Sequence, residues 1–209
     1  MILRIFRGSV AADRTTDFHA YVDSVAAERL RGKAGLRDLI IGTRADGDRL
    51  RIAVASTWTD VRAEDEALGG LGPRSPVLEL PDYVAADSAE HYELVSSPYV
   101  AAAATSGLVL RVGRLILKRG TESEFYQYLR ERSATFHEQL EALVIMAARR
   151  MTDDHEEVAT VGVFTDHESV VAAEGAQPRM PIGWDRLAPF VDDFTIEAFA
   201  TTLVELAPL

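Results

Sequence analysis

The second half of this chain repeats the first, and that repeat constrains the fold more than any single motif. Residues 2–7 read Ile-Leu-Arg-Ile-Phe-Arg and residues 109–114 read Val-Leu-Arg-Val-Gly-Arg. A shift of 107 places Leu3 on Leu110, Arg4 on Arg111, Arg7 on Arg114, Phe18 on Phe125, Tyr21 on Tyr128 and Leu36 on Leu143. A shift of 106 then places Trp58, Thr59 and Asp60 on Phe164, Thr165 and Asp166, and Gly69 on Gly175. A period of half the chain implies two copies of one unit of roughly 100 residues.

The unit itself is readable from periodicity. Ile2–Val10 is short, apolar and β-branched, with Arg4 and Arg7 interleaved, and predicts a buried strand. Phe18, Tyr21, Val22 and Val25 fall at helical spacing after the capping residues Asp13 to Asp17. Two strands, Leu36–Arg44 and Arg49–Trp58, flank a turn containing Asp46 and Gly47, a hairpin signal. Thr59 and Asp60 cap a short helix that ends at Gly69 and Gly70, and a strand over Ala89–Ser96 closes the unit. The second half predicts the same order: strand 108–117, helix 121–137, strands 143–151 and 157–164, helix 166–174 and strand 194–202. This β-α-β-β-α-β order predicts a ferredoxin-like α+β unit, a four-stranded antiparallel sheet with both helices on one face. The domain boundaries expected are 1–97 for the first repeat, 98–107 for a linker and 108–209 for the second repeat. Two such sheets packed face to face would form an intramolecular α/β barrel, a pseudo-dimer within one chain, with further homo-oligomerisation left open.

Composition narrows the function. The net charge of −11 disfavours nucleic acid and anionic membrane surfaces as partners. There is no cysteine, hence no disulfide and no thiolate chemistry. Neither a signal segment nor an apolar run of about 18 residues is present, so a cytoplasmic location is expected. His137, His155 and His167 show no metal-ligand spacing, and no dinucleotide, phosphate-loop or nucleophile-elbow motif occurs.

The opening Ile2–Gly8, the third strand ending Ser56, Thr57, Trp58, Thr59, Asp60, and the last strand Glu90–Val95 resemble the antibiotic biosynthesis monooxygenase-like family of the dimeric α/β-barrel superfamily. That resemblance implies oxygenation of an aromatic substrate without metal or flavin, hence no cofactor. Haem degraders of similar fold combine an Asn, a His and a Trp, and this chain contains no asparagine, so haem degradation is the lesser expectation. A non-enzymatic small-molecule-binding or stress-related protein of the same fold is the alternative reading.

Candidate site residues follow from both lines. Arg4 and Arg111 occupy the same place in the two copies, in the middle of a strand. If Leu3 and Ile5 face the helices, Arg4 faces the opposite side, where it would hold a ligand oxyanion or pair with a carboxylate. Glu90 and Glu197 are the available partners. Phe6, Trp58 and Tyr92 are candidates to line a cavity for a small apolar or aromatic ligand. His91 is a candidate general base and, with Arg4, the candidate catalytic pair. His19 is a candidate substrate contact near the mouth of the first unit. Because the second copy lacks equivalents of Trp58 and His91, the ligand site is expected mainly in the first half.

Overall fold

A computed structural model describes residues 1–26, 28, 32–69, 80–96, 107–139, 142–165, 181 and 184–206, without the side chains of residues 26 and 132–139. The described chain is mostly antiparallel sheet with few helices. It divides into two compact units, Met1–Glu93 with Phe199–Leu209, and Leu94–Ala198.

In the first unit, β1 (Ile2–Ala11) leads through a 3-10 turn into α1 (Thr15–Tyr21), which continues as a wider turn over Val22–Ala26. The hairpin β2 (Leu36–Asp46) and β3 (Arg49–Trp58) turns at Gly47, whose φ of 61° suits a residue without a Cβ. Helix α2 (Val61–Leu68) starts where the Asp60 side chain accepts from Ala63 N–H and stops at Gly69 with φ 60°. Strand β4 (Val84–Leu94) returns beside β1. The order is β4-β1-β3-β2, all antiparallel. β2 also pairs with the end of β8 (Val191–Glu205), Leu39 opposite Glu205 and Thr43 opposite Ala200.

The second unit contains β5 (Val109–Leu117), α3 (Glu122–Gln139), β6 (Ala142–Met151), β7 (Glu156–Phe164), α4 (Trp184–Leu187) and the first part of β8. Its order is β8-β5-β7-β6. The helix expected at 166–174 and the linker residues 98–106 lie outside the described residues. None of the described helices is long and apolar enough to cross a membrane.

The facing expected for β1 is reversed. Val10 packs with Phe18 and Val22 of the α1 segment, together with Leu39, Ile41, Leu50 and Ile52. Alternation then places Phe6 and Arg4 on that same helix-covered face, and Arg4 contacts α2. Leu3 and Ile5 point the other way, yet are only 0% and 1% exposed. Both faces of β1 are buried, so apolar alternation alone does not reveal which face meets the helices.

Candidate functional site

The helix-covered face of each sheet holds a buried arginine at matching places in the ladder. Arg4 lies opposite Ser56 on β3 and His91 on β4. Arg111 lies opposite Gly162 on β7. Their surroundings differ.

In the first unit a buried ion pair and aromatic side chains surround the arginine. Arg4 Nε is 2.9 Å from Glu64 Oε1 of α2, and both side chains are almost wholly buried. The same Oε1 lies 2.6 Å from His91 Nε2. Burial pulls the Arg4 guanidinium below its usual pKa, and the Glu64 charge pulls it back up. Glu90 is not the partner of Arg4: it lies opposite Ile5, on the other face, and bonds Arg7. Trp58, fully buried, donates from Nε1 to Ser56 Oγ at 3.0 Å. Phe6 is 3% exposed, with the Arg4 guanidinium 5.9 Å from its ring centre. Tyr92 is buried opposite Leu3, on the face away from the helices. His19 is half-buried on α1 with its ring edge-on to Phe18. Arg4, Phe6, Trp58 and His91 therefore meet around Glu64 or pack as core, and Tyr92 and His19 lie elsewhere in the unit.

In the second unit a pocket of about 120 Å³ lies between α3 and the sheet. Phe125, Tyr128 and Leu129 form its helix side, and Arg111, Leu115, Ile145, Ala147, Thr160, Gly162, Phe164 and Ile196 its sheet side, with Pro181 and Leu187 at the margin. Arg111, at 6% exposure, is the only charged side chain among the described lining residues. Register explains the opening. Phe6 opposite Val54 in the first unit corresponds to Gly113 opposite Thr160 in the second. Ile41 opposite Val54 corresponds to Ala147 opposite Thr160. Ser56, opposite Arg4, corresponds to Gly162, opposite Arg111. The changes to Ala147 and Gly162 remove volume from the floor under the helix, whereas Thr160 and Ile196 take the space beside Gly113. The floor is nonetheless tight at its edges: a Cβ at Gly113 would collide with Thr160 Oγ1, and one at Gly162 would stand 2.7 Å from the Phe164 ring.

Of the seven candidates, Arg111 lines this pocket. Glu64, Gly113, Ala147, Thr160 and Gly162 were not among them. Lining up the two repeats and comparing side-chain volumes on the strands would have found the glycines. Glu64 carried a weaker signal, four residues before Leu68 on the buried face of α2.

A separate ion cluster braces the other face of the second sheet. Glu157, 1% exposed, bonds Arg114, accepts from Arg150 Nε at 2.7 Å and lies 3.1 Å from His155 Nε2. Burial alone would raise its pKa, but bonds from Arg114, His155 and Arg150 outweigh this and hold it at about 2.

No family model matches the sequence, and no curated protein matches it. Solved structures do. A candidate monooxygenase from Fusobacterium nucleatum aligns with TM-score 0.73 at 11% identity, over 98% of this chain and 94% of that one. A candidate monooxygenase from Lactobacillus acidophilus aligns with TM-score 0.67 at 12% identity, over 98% and 95%. An anthrone oxidase-like protein aligns with TM-score 0.60 at 9% identity, over 99% and 93%. At such identities the likeness concerns fold: the chain carries the ferredoxin-like fold of structures related to the antibiotic biosynthesis monooxygenases.

Proposed function

We propose that the chain binds a planar aromatic metabolite in the pocket of the second unit and lets it react there with dioxygen. The observation that carries this reading is an apolar pocket in which Arg111 is the one cation among the described lining residues. An apolar enclosure favours a ring, and a guanidinium in low dielectric favours an ionised oxygen on that ring. A phenol or enol bound beside Arg111 loses its proton more readily than in water. The resulting anion is electron-rich enough to reduce dioxygen itself. A ring-activated CH₂ then becomes C=O: one oxygen atom enters the product, and the other leaves as water with the two hydrogens. No external reductant is consumed, and the reading requires no cofactor. Arg111 supplies the charge that holds the oxyanion, and the apolar walls exclude water.

The same proposal takes the two units as copies of one repeat, with boundaries at 1–97, 98–107 and 108–209. The 107-residue echo and the parallel strand orders support it. A second reading, binding without chemistry, is favoured by the absence of Asp, Glu and His among the described lining residues. Oxygen uptake with a panel of phenols and enolisable ring ketones, followed by mass spectrometry under ¹⁸O₂, separates the two. Uptake with one labelled atom in the product supports oxygenation. Saturable binding with no uptake supports the second reading.

A further inference from the structure

The two units diverge along one row of the sheet. In the first unit that row reads Phe6, Val54 and Ile41 across β1, β3 and β2. In the second it reads Gly113, Thr160 and Ala147 across β5, β7 and β6. Ala147 gives room, and Thr160 brings a polar group that the first unit lacks there. Arg111 and Tyr128, the other polar side chains among the described lining residues, have counterparts in Arg4 and Tyr21. Val54 packs against the apolar core of the first unit, and valine has nearly the shape of threonine, so packing alone does not call for the hydroxyl. A hydroxyl in an apolar wall is unfavourable unless something bonds it. Thr160 is half-buried and lines the pocket, and its side chain makes no hydrogen bond to another described residue.

The direction of the hydroxyl gives it a use. Thr160 Oγ1 occupies the space over Gly113, where a Cβ would collide with it. Gly113 is two residues along β5 from Arg111, on the same face and about 7 Å away by strand geometry. The hydroxyl and the guanidinium thus stand side by side on one wall of the pocket. We infer that Thr160 is the second donor of the ligand site: its hydroxyl bonds the ligand oxygen that Arg111 attracts, and favours that oxygen as an anion. This rests on the pocket proposed above as the ligand site. It adds a residue to that site and a requirement on the ligand, an oxygen on the ring that accepts two hydrogen bonds, as a phenolate or a ring enolate does. Arg111 has five N–H donors, enough to keep its contacts within the protein and still address that oxygen. A hydrogen bond to a charged oxygen is stronger than one to a neutral oxygen, so Thr160 lowers the pKa of the bound phenol or enol.

The test is titration of the intact chain with 4-nitrophenol across pH, with nitrobenzene as a ring that does not ionise. Calorimetry reads binding, and the visible absorbance of the phenolate reads ionisation. The native chain is expected to bind 4-nitrophenol and to lower its pKa. Thr160→Val restores the valine of the first unit. It is expected to weaken phenolate binding about tenfold or more and to raise the bound pKa correspondingly, by about one unit. Nitrobenzene affinity should hold, and the melting temperature should hold or rise. Thr160→Ser, which keeps a hydroxyl, is expected to restore the phenolate. Ala147→Ile, which restores Ile41, is expected to weaken both ligands alike, because it takes space and not a hydrogen bond. Phenolate affinity unchanged in Thr160→Val, equal loss of both ligands in that variant, or its failure to fold would overturn the inference while leaving the proposed function standing. Phenolate binding that depends on Thr160, with no oxygen uptake from any phenol or ring ketone, would support the inference and overturn the oxygenation. Failure of the native chain to bind either ring would sink both.

Discussion

Removing Glu64 should destabilise the first unit more than any exposed substitution. Its Oε1 forms an ion pair with Arg4, 2.9 Å from Nε, and lies 2.6 Å from His91 Nε2, with Glu64 at 2% exposure and Arg4 at 2%. Glu64→Ala leaves the Arg4 charge buried with its nearest counter-charge gone. Stranding one partner of a buried pair costs about 3–5 kcal/mol. For a domain of this size each kcal/mol shifts Tm by about 2–4 °C, so the melt should fall by about 6–20 °C. The companion variant Arg4→Met with Glu64→Leu removes both charges and keeps bulk; it should recover most of the loss, since apolar replacement of buried pairs is often neutral. His91→Ala, which removes a more exposed partner, should cost less than Glu64→Ala. Thermal melts by circular dichroism read all three. A Tm change under about 2 °C for Glu64→Ala, well below the range set by a stranded charge, would refute the reasoning, because Arg4 would then not depend on that carboxylate.

Glu157, held at about 2 against a usual 4.5, contributes stability that is complete above pH 4.5 and is lost as pH falls from there toward 2. The span corresponds to about 3 kcal/mol, and urea melts from pH 6 to 3 should show the loss in the native chain and a flatter profile in Glu157→Gln. Asp60→Ala removes the N-cap bond to Ala63 N–H and should cost about 1 kcal/mol by denaturant titration. Trp58→Ala empties a fully buried site and should cost about 3–5 kcal/mol, read by the same titration.

Much of the architecture was legible because local rules and the global fold agree. The Asp46 and Gly47 turn, the Asp60 cap and the Gly69 stop each fix an element boundary by a backbone requirement, and each appears in the structure. What the pattern hid follows from burial on two sides. Leu3 and Ile5 on one face of β1, and Arg4 and Phe6 on the other, are all buried, so the period of two says that faces alternate without saying which face meets a helix. The expected partner Glu90 went wrong for that reason, and the actual partner Glu64 is brought in from a helix 60 residues away in sequence. β8 was longer than expected, because Leu203 to Glu205 find a pairing partner in β2 that no local signal marks. The candidate site was half legible. The repeated arginine was visible as a repeat; the pocket beside Arg111 was not, because it arises from what Ala147 and Gly162 lack.

The central claim is that the second unit holds the ligand, and a crystal structure of the chain soaked with phenol tests it most directly. The account predicts a ring in density between α3 and the sheet, beside Arg111, with the Phe6 and Trp58 positions of the first unit unchanged. A ring bound among Phe6, Trp58 and His91 instead, with the space beside Arg111 unaltered, would contradict it.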